Sequence, residues 1–493
     1  MQNNRICYFK GNLHISELAF LKLHAIIPFF AIFCCLTFST PIHAKQIVDI
    51  DITRAIQTAF WGDEAVDANL IDIKNQQGVV TLTGTVSHIL AKDRAERISE
   101  NIVGVRAVVN LIKVKPRVIR SDMELMIAVE NALALDPVAD SYEVTVKVKN
   151  GVVAFTGTVN SWQEWQLCET VAKGIDGVID VKNNITVKYK IDRSDLEIKN
   201  KVEALLENDV RVDDLLIKVE VKNSKVILSG MVGSLAEKSR ATNDAYVGGV
   251  SSVDSVGLKI EWWARDKMRR KNAHVTRSDV QVKKAVQDAF LFNPRFLLIT
   301  PDVAVEDGKV TLSGVVDNIK AKKTAEQVTR NIIGVRRVKN YLKVRPVNIP
   351  SDDVLEKQVA ETLHVNPWVE RFEINIDAVA GWIYLSGDVT TFFEKREATR
   401  VAENIKGVID VINNITCTGW TWKLDQEIRE DVKYEFFWSP YVDEDQVSVT
   451  VSNGVVTLTG NVETLSERKA AEDNAYEGGA KSVINNLTVT YRY

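Results

Sequence analysis

Cysteine, histidine and proline are scarce in this chain: five, six and ten among 493 residues. Three of the cysteines, Cys7, Cys34 and Cys35, fall in the first 44 residues. Only Cys168 and Cys417 remain beyond them, which excludes a disulfide framework. Beyond residue 44 the histidines are His88, His274 and His364, with no pair at i, i+3 or i, i+4, so the spacing of a zinc site is missing. No Gly-x-Ser-x-Gly and no phosphate-binding loop is present. Carboxylates are plentiful, but they sit on helix faces where solvation is their ordinary state. The expectation is a protein without metal, cofactor or catalytic set, and not an enzyme. A formal charge of −4 gives no broad positive stripe, which argues against nucleic acid as a partner.

The first 44 residues differ from the rest. Arg5, Lys10 and Lys22 precede an apolar run from Ala25 to Phe38, broken by Pro28, and the segment ends Pro41-Ile42-His43-Ala44. A basic start, a short apolar stretch and a small residue at the end describe a secretory signal peptide. The run is shorter than the roughly 20 residues of a membrane span. Export to the periplasm with cleavage after Ala44 is expected; retention as a membrane anchor is the alternative. A chain without this leader carries 59 basic and 65 acidic residues, a net charge of −6.

Beyond the leader, one sentence is written six times. Gly78-Val79-Val80-Thr81-Leu82-Thr83-Gly84 is a glycine turn feeding an alternating strand that ends in a second glycine. The terminal glycines are Gly84, Gly157, Gly230, Gly314, Gly387 and Gly460, whose numbers step by 73, 73, 84, 73 and 73. A fixed period outranks any single residue in deciding a fold. Each copy reads helix, strand, strand, helix, strand. Ser121, Ser194 and Ser278, each followed three positions later by Glu or Gln, spell capping boxes for the first helix. Asn150-Gly151, Asp307-Gly308 and Asn453-Gly454 spell hairpin turns, and Asn223-Ser224 spells a weaker one. A small residue recurs in the second helix: Ala95, Cys168, Ala241, Ala325, Ala398 and Ala471. The buried packing position this implies for Cys168 argues against a nucleophile. Gly104, Gly177, Gly249, Gly334, Gly407 and Gly479 read as C-caps closing that helix. The last strand carries Val-x-Asn, as in Val108-Val109-Asn110 and Val338-Lys339-Asn340.

The fold class is therefore α+β: six αββαβ units, each a three-stranded sheet with both helices on one face. The boundaries read as 1–44 leader, then units at 46–115, 119–189, 192–262, 276–346, 349–418 and 422–493, with a basic linker at 263–275. Residues 101–116 and 331–346 share ten of sixteen positions. Gly-Val-Ile-Asp recurs at Gly177 and Gly407, and Ala-Tyr-x-Gly-Gly at Ala245 and Ala475. The chain is thus a three-unit block written twice, and adding 230 to a number in the first block gives its equivalent in the second. Units of about 70 residues bury little surface alone, so neighbours are expected to support one another, in a rod or in a closed body.

This pattern of apolar helix, Asn-Gly turn, Val-x-Leu-x-Gly-x-Val strand, alanine-bearing helix, Gly-Val stop and Val-x-Asn strand resembles the BON domain (bacterial OsmY and nodulation). The resemblance spans nearly all of residues 46–493. It implies an αββαβ fold in a bacterial envelope protein that interacts with phospholipid or protects the envelope under osmotic stress. It transfers no catalytic residue. The six terminal glycines carry over in a structural role.

Two stretches are candidates for surface binding. The first joins the triplets, where Trp262 and Trp263 stand beside Arg265, Lys267, Arg269, Arg270 and Lys271. Indoles with cations suit an anionic phospholipid surface; a solvated linker whose tryptophans pack on unit three is the plainer account. The second is the end of the first helix in some units: Phe60-Trp61, Phe290-Leu291-Phe292 and Phe436-Phe437-Trp438. These aromatics suit shallow lipid insertion or a groove on a client protein, or else core packing and contact between units. The partner is accordingly a phospholipid membrane surface or, in the alternative, an envelope protein bound by a chaperone-like or scaffold protein.

Overall fold

The computed structural model describes residues 47–136, 143–189, 193–261, 264, 277–291, 293, 296, 300–369, 372–418 and 423–490. The leader at 1–44 and the linker residues Trp262, Trp263, Arg265, Lys267, Arg269, Arg270 and Lys271 lie outside them. Among the described residues the chain is α+β, with two helices per unit and seven small sheets, one per unit except the fourth, whose strands form two.

Unit one shows how the sequence makes the unit. The first helix, Asp49–Gly62, buries Ile52, Ala55, Ile56 and Phe60 along one face. Strand Ile71–Gln76 pairs antiparallel with Val79–Val86, which pairs parallel with Ala107–Asn110 and Lys113–Val114. The hairpin's second strand is therefore the middle of the sheet. Val80 and Leu82 alternate inward to zero exposure, while Thr81 and Thr83 point away. The second helix, Ile89–Glu100, crosses back over the same face, and Ala95 is fully buried there. The equivalent Cys168, Ala241, Ala325, Ala398 and Ala471 are also at zero exposure.

At the hairpin tips both central residues have positive φ, including the less expected Gln77, Ser224 and Ala380. The terminal strand glycines also have positive φ, and at five of the six an added Cβ would press into the carbonyl oxygen of a residue at or just before the start of the neighbouring strand, Leu70 in the case of Gly84. In the second set Gly479, with φ +97°, fits the C-cap reading, following the helix Leu465–Glu477 and its cap Gly478, but four others depart from it. The helices end at Glu100, Lys173, Arg330 and Glu403, four residues before Gly104, Gly177, Gly334 and Gly407. Each of these glycines sits instead in the turn that enters the closing strand and presses on its own unit's first helix or the approach to it: Gly104 on Ile52, Gly334 on Val282, Gly407 on Pro350. Close approach, with φ near +95°, is the reason for glycine here.

Six cores form, one per unit, and neighbours contribute to them. Trp438 of unit six belongs to the core of unit one, and Ile319 of unit four to that of unit five. Contacts run between consecutive units and then from the last back to the first, so the described residues close rather than extend. Among the described residues, three backbone seams join the triplets. Val103 N donates to Trp438 O (units one and six), Ile333 N to Asn208 O (four and three), and between units two and five Asp176 N donates to Val365 O while Lys406 N donates to Leu135 O. Adding 230 to the first partner of the first contact, with the second partner shifted back by 230, gives the second contact. The same operation turns each bond of the two–five pair into the other. The triplets are therefore related by a pseudo-two-fold axis.

Candidate interaction surfaces

The closing strand of unit one ends at Lys113–Val114, and Lys115 N makes the last sheet bond, to Val86 O at 2.8 Å. Alternation turns Val114 inward and leaves Lys113 and Lys115 exposed. Pro116 comes next and donates no hydrogen bond, which ends the pairing. The chain then runs to the cap at Ser121 with Arg117, Val118 and Ile119 in solvent; Ile119 is 93% exposed. Arg120 turns back to Asp176, with Nε 3.8 Å from a carboxylate oxygen. In the helix beyond, Asp122–Leu135, Met123 and Ile127 are four apart on one face and both exposed.

The pseudo-two-fold mate repeats this design. Arg345 N bonds Val316 O at 2.8 Å, Pro346 comes next, and Lys343, Arg345, Val347 and Ile349 are exposed, Val347 at 87%. Two connectors, 113–120 and 343–350, thus hold apolar tips among cations. The acids just past the first are already engaged. Asp122 accepts from Asn150 N and Gly151 N, both at 2.9 Å, and those bonds hold its carboxyl below the usual range. Glu124 accepts from Ser121 in the capping box, with the same effect.

The aromatic candidates at the first-helix ends divide. Phe60 and Phe436 are buried in their own cores and offer no surface. Trp438 is buried in the seam with unit one. Trp61 and Phe437 are exposed, at 67% and 43%. Phe290 is buried, Leu291 is exposed, and Phe292 lies outside the described residues. A second aromatic group, not anticipated from sequence, joins units one and five. The His88 ring meets Trp368 edge-on at 4.0 Å, Trp368 meets Phe393, and Arg94 lies over Phe393 at 4.9 Å while its Nε donates to Asp63 at 2.7–2.8 Å. Burial pushes His88 down to about 3, and Arg117 nearby adds to this.

The Cys168 thiol is pushed up to about 12 by burial, and Cys417 is raised for the same reason. Among the described residues no group of three His, Cys, Asp or Glu side chains is placed to hold a metal. Among the same residues no helix is long and apolar enough to cross a membrane.

Six copies of one small α+β module, in the order helix, strand, strand, helix, strand, define a tandem-repeat protein. The BON domain matches residues 49–116, 122–189, 194–261, 278–346, 351–419 and 424–491. The chain belongs to the BON domain family. It is 28% identical over 146 residues to the Osmotically-inducible protein Y of Escherichia coli (strain K12), covering 28% of this chain and 73% of that protein. It is 32% identical over 110 residues to the Outer membrane lipoprotein DolP of Haemophilus influenzae, covering 22% of this chain and 56% of that protein. Among solved structures it is similar to CdsD, a structural protein of the type III secretion system of Chlamydia trachomatis. The identities are 16% and 17%, the TM-scores 0.12 and 0.13, with 39% and 46% of this chain and 92% and 94% of those chains covered.

Proposed function

We propose that this protein is a non-enzymatic envelope protein that binds anionic phospholipid surfaces through its two connectors, in the periplasm, and contributes to envelope integrity under osmotic stress. The observation that carries the reading is the pairing of exposed cations with exposed apolar tips: Lys113, Lys115 and Arg117 around Val118 and Ile119, repeated as Lys343 and Arg345 around Val347 and Ile349. A basic side chain near an anionic bilayer contributes about 1 kcal/mol, and a shallow apolar tip adds to it. One relative's name places it at the outer membrane and the other's ties it to osmotic induction, which supports the envelope setting. The linker cations Arg269, Arg270 and Lys271 belong to the same reading as a third basic stretch.

Vesicle flotation tests it. The chain from residue 45 onward should float with vesicles containing phosphatidylglycerol, float less as salt rises, and stay behind with purely zwitterionic vesicles. Reversing Lys113, Lys115, Arg117, Lys343 and Arg345 to Glu should abolish flotation, and neutralising Arg269, Arg270 and Lys271 should weaken it. Flotation that ignores salt and both sets of changes would overturn the reading. The rival partner, an envelope protein, is favoured by exposed Trp61 and Phe437. It requires suppression of a client's aggregation without lipid, lost in W61A/F437A.

A further inference from the structure

We propose that the face shared by the two triplets is a two-fold dimer face folded into one chain, and that Arg211 against Tyr441 restricts it to pairing a first triplet with a second. On such a face, residue i of one half meets j of the other and j meets i. The seams obey this rule: Asp176 with Val365 and Lys406 with Leu135; Val103 with Trp438 and Ile333 with Asn208. The repeat also holds inside the triplets, where Leu235 of unit three packs on the core of unit one and its mate Leu465 of unit six on that of unit four. Even an ion pair within each triplet is kept with reversed polarity, Lys173 with Asp93 at 2.9 Å and, at the equivalent places, Glu403 with Lys323.

Arg211 and Tyr441 are themselves equivalents under the repeat and touch, the guanidinium lying 5.1 Å from the ring centre. A residue meets its own equivalent only on the axis. Arg211 Nε also donates to Ser466 Oγ at 2.6 Å, where the mate of Ser466 is Ala236. Two first triplets would set Arg211 against Arg211 at this half-buried place, with Arg240 alongside. Two second triplets would set tyrosine on tyrosine and leave Ser466 without its donor. Only the unlike pair gains a cation over an aromatic face plus the hydroxyl bond. The partner this face accepts is the other triplet of the same chain and, in its absence, the complementary triplet of a second copy.

The test uses the full chain with a specific protease site inserted between His274 and Val275 and cut after folding. Native mass spectrometry and size exclusion on dilution should show unlike halves held one to one, with no pairs of like halves. Y441R should weaken the halves' affinity by about tenfold or more. The exchange R211Y/Y441R with A236S/S466A, which carries the contact across the axis, should restore it. Circular dichroism of the separated halves reports folding. Where they unfold on separation, the urea midpoint of the cut pair replaces the dissociation constant, with the same order of variants expected. Free separation of wild-type halves at micromolar concentration, like halves pairing as readily as unlike, an unaffected Y441R, or an exchange variant as weak as Y441R would each overturn the proposal.

Discussion

Gly84 and Gly314 hold the same place in units one and four, yet an added methyl group meets different surroundings. At Gly84 it drives into Leu70 O at φ +119°; at Gly314, φ +111°, the nearest atom is an Asp302 carboxylate oxygen at 3.7 Å. G84A should therefore cost about 3 kcal/mol or more and G314A about 1–2, the backbone part alone; urea midpoints of the two variants check the order. Asp49 shows a second repeated device. Its carboxylate accepts from Gln77 N at 2.7 Å and Gly78 N at 3.0 Å, locking the hairpin tip to the start of the helix. Asp122, Asp195, Asp279, Asp352 and Asp425 reach their own hairpin tips in the same way. D49A should lose about 1–2 kcal/mol, read from its melting curve. The glycine repeat is plain in the sequence because the spacing is fixed and the residue type is rare. The aspartate is hidden, since an acid in the first turn already has an ordinary reading against the helix dipole. Its constant offset from the turn, the same in all six units, was the available signal.

At the scale of elements, the second helix of unit one begins at His88, whose Nδ1 accepts from Ala91 N at 3.1 Å while the ring packs on Trp368. Burial lowers its pKa from 6.5 to about 3. The folded state thus holds it neutral, and its contribution is complete above pH 6.5 and lost as pH falls below it, when the unfolded chain takes up the proton. The loss reaches about 2 kcal/mol by pH 5. Asn318 is the equivalent cap in unit four and accepts from Ala321 N at 2.7 Å. H88N should keep the cap and flatten the acid side of the stability curve, measured as melting temperature from pH 7.5 to 5 against wild type. Helices, strands and turns were legible here because their periods and caps are local. That Gly104, Gly177, Gly334 and Gly407 are not C-caps has the opposite cause: at Gly104 the contact that demands glycine is with Ile52, in the first helix and across the whole hairpin from it in the chain.

For the molecule as a whole, the seam between units one and six is closed by Val103, Trp438 and a crowd of acids. Burial pushes Glu435 up to about 8, helped by Glu477, Asp431 and Asp63, with Lys423 opposing. A carboxyl raised in the folded state weighs against folding as pH climbs from about 4.5 through 8. E435Q should remove that loss and melt higher than wild type at pH 8, while matching it at pH 5. The sequence suggests contact between units at Phe436-Phe437-Trp438, but it does not specify this closure. Its bonds use backbone groups, and residues such as Phe437 and Trp438, adjacent in sequence, face solvent and seam respectively. The connectors are hidden in the sequence as well, because Lys113 and Ile119 are unremarkable until Pro116 ends the sheet and leaves them outside. The central claim, that these connectors meet the membrane, is tested most directly by hydrogen exchange on the chain bound to phosphatidylglycerol vesicles. Slowed exchange concentrated in 113–127 and 343–350 is the predicted result. Unchanged exchange there, with protection elsewhere or nowhere, would contradict it.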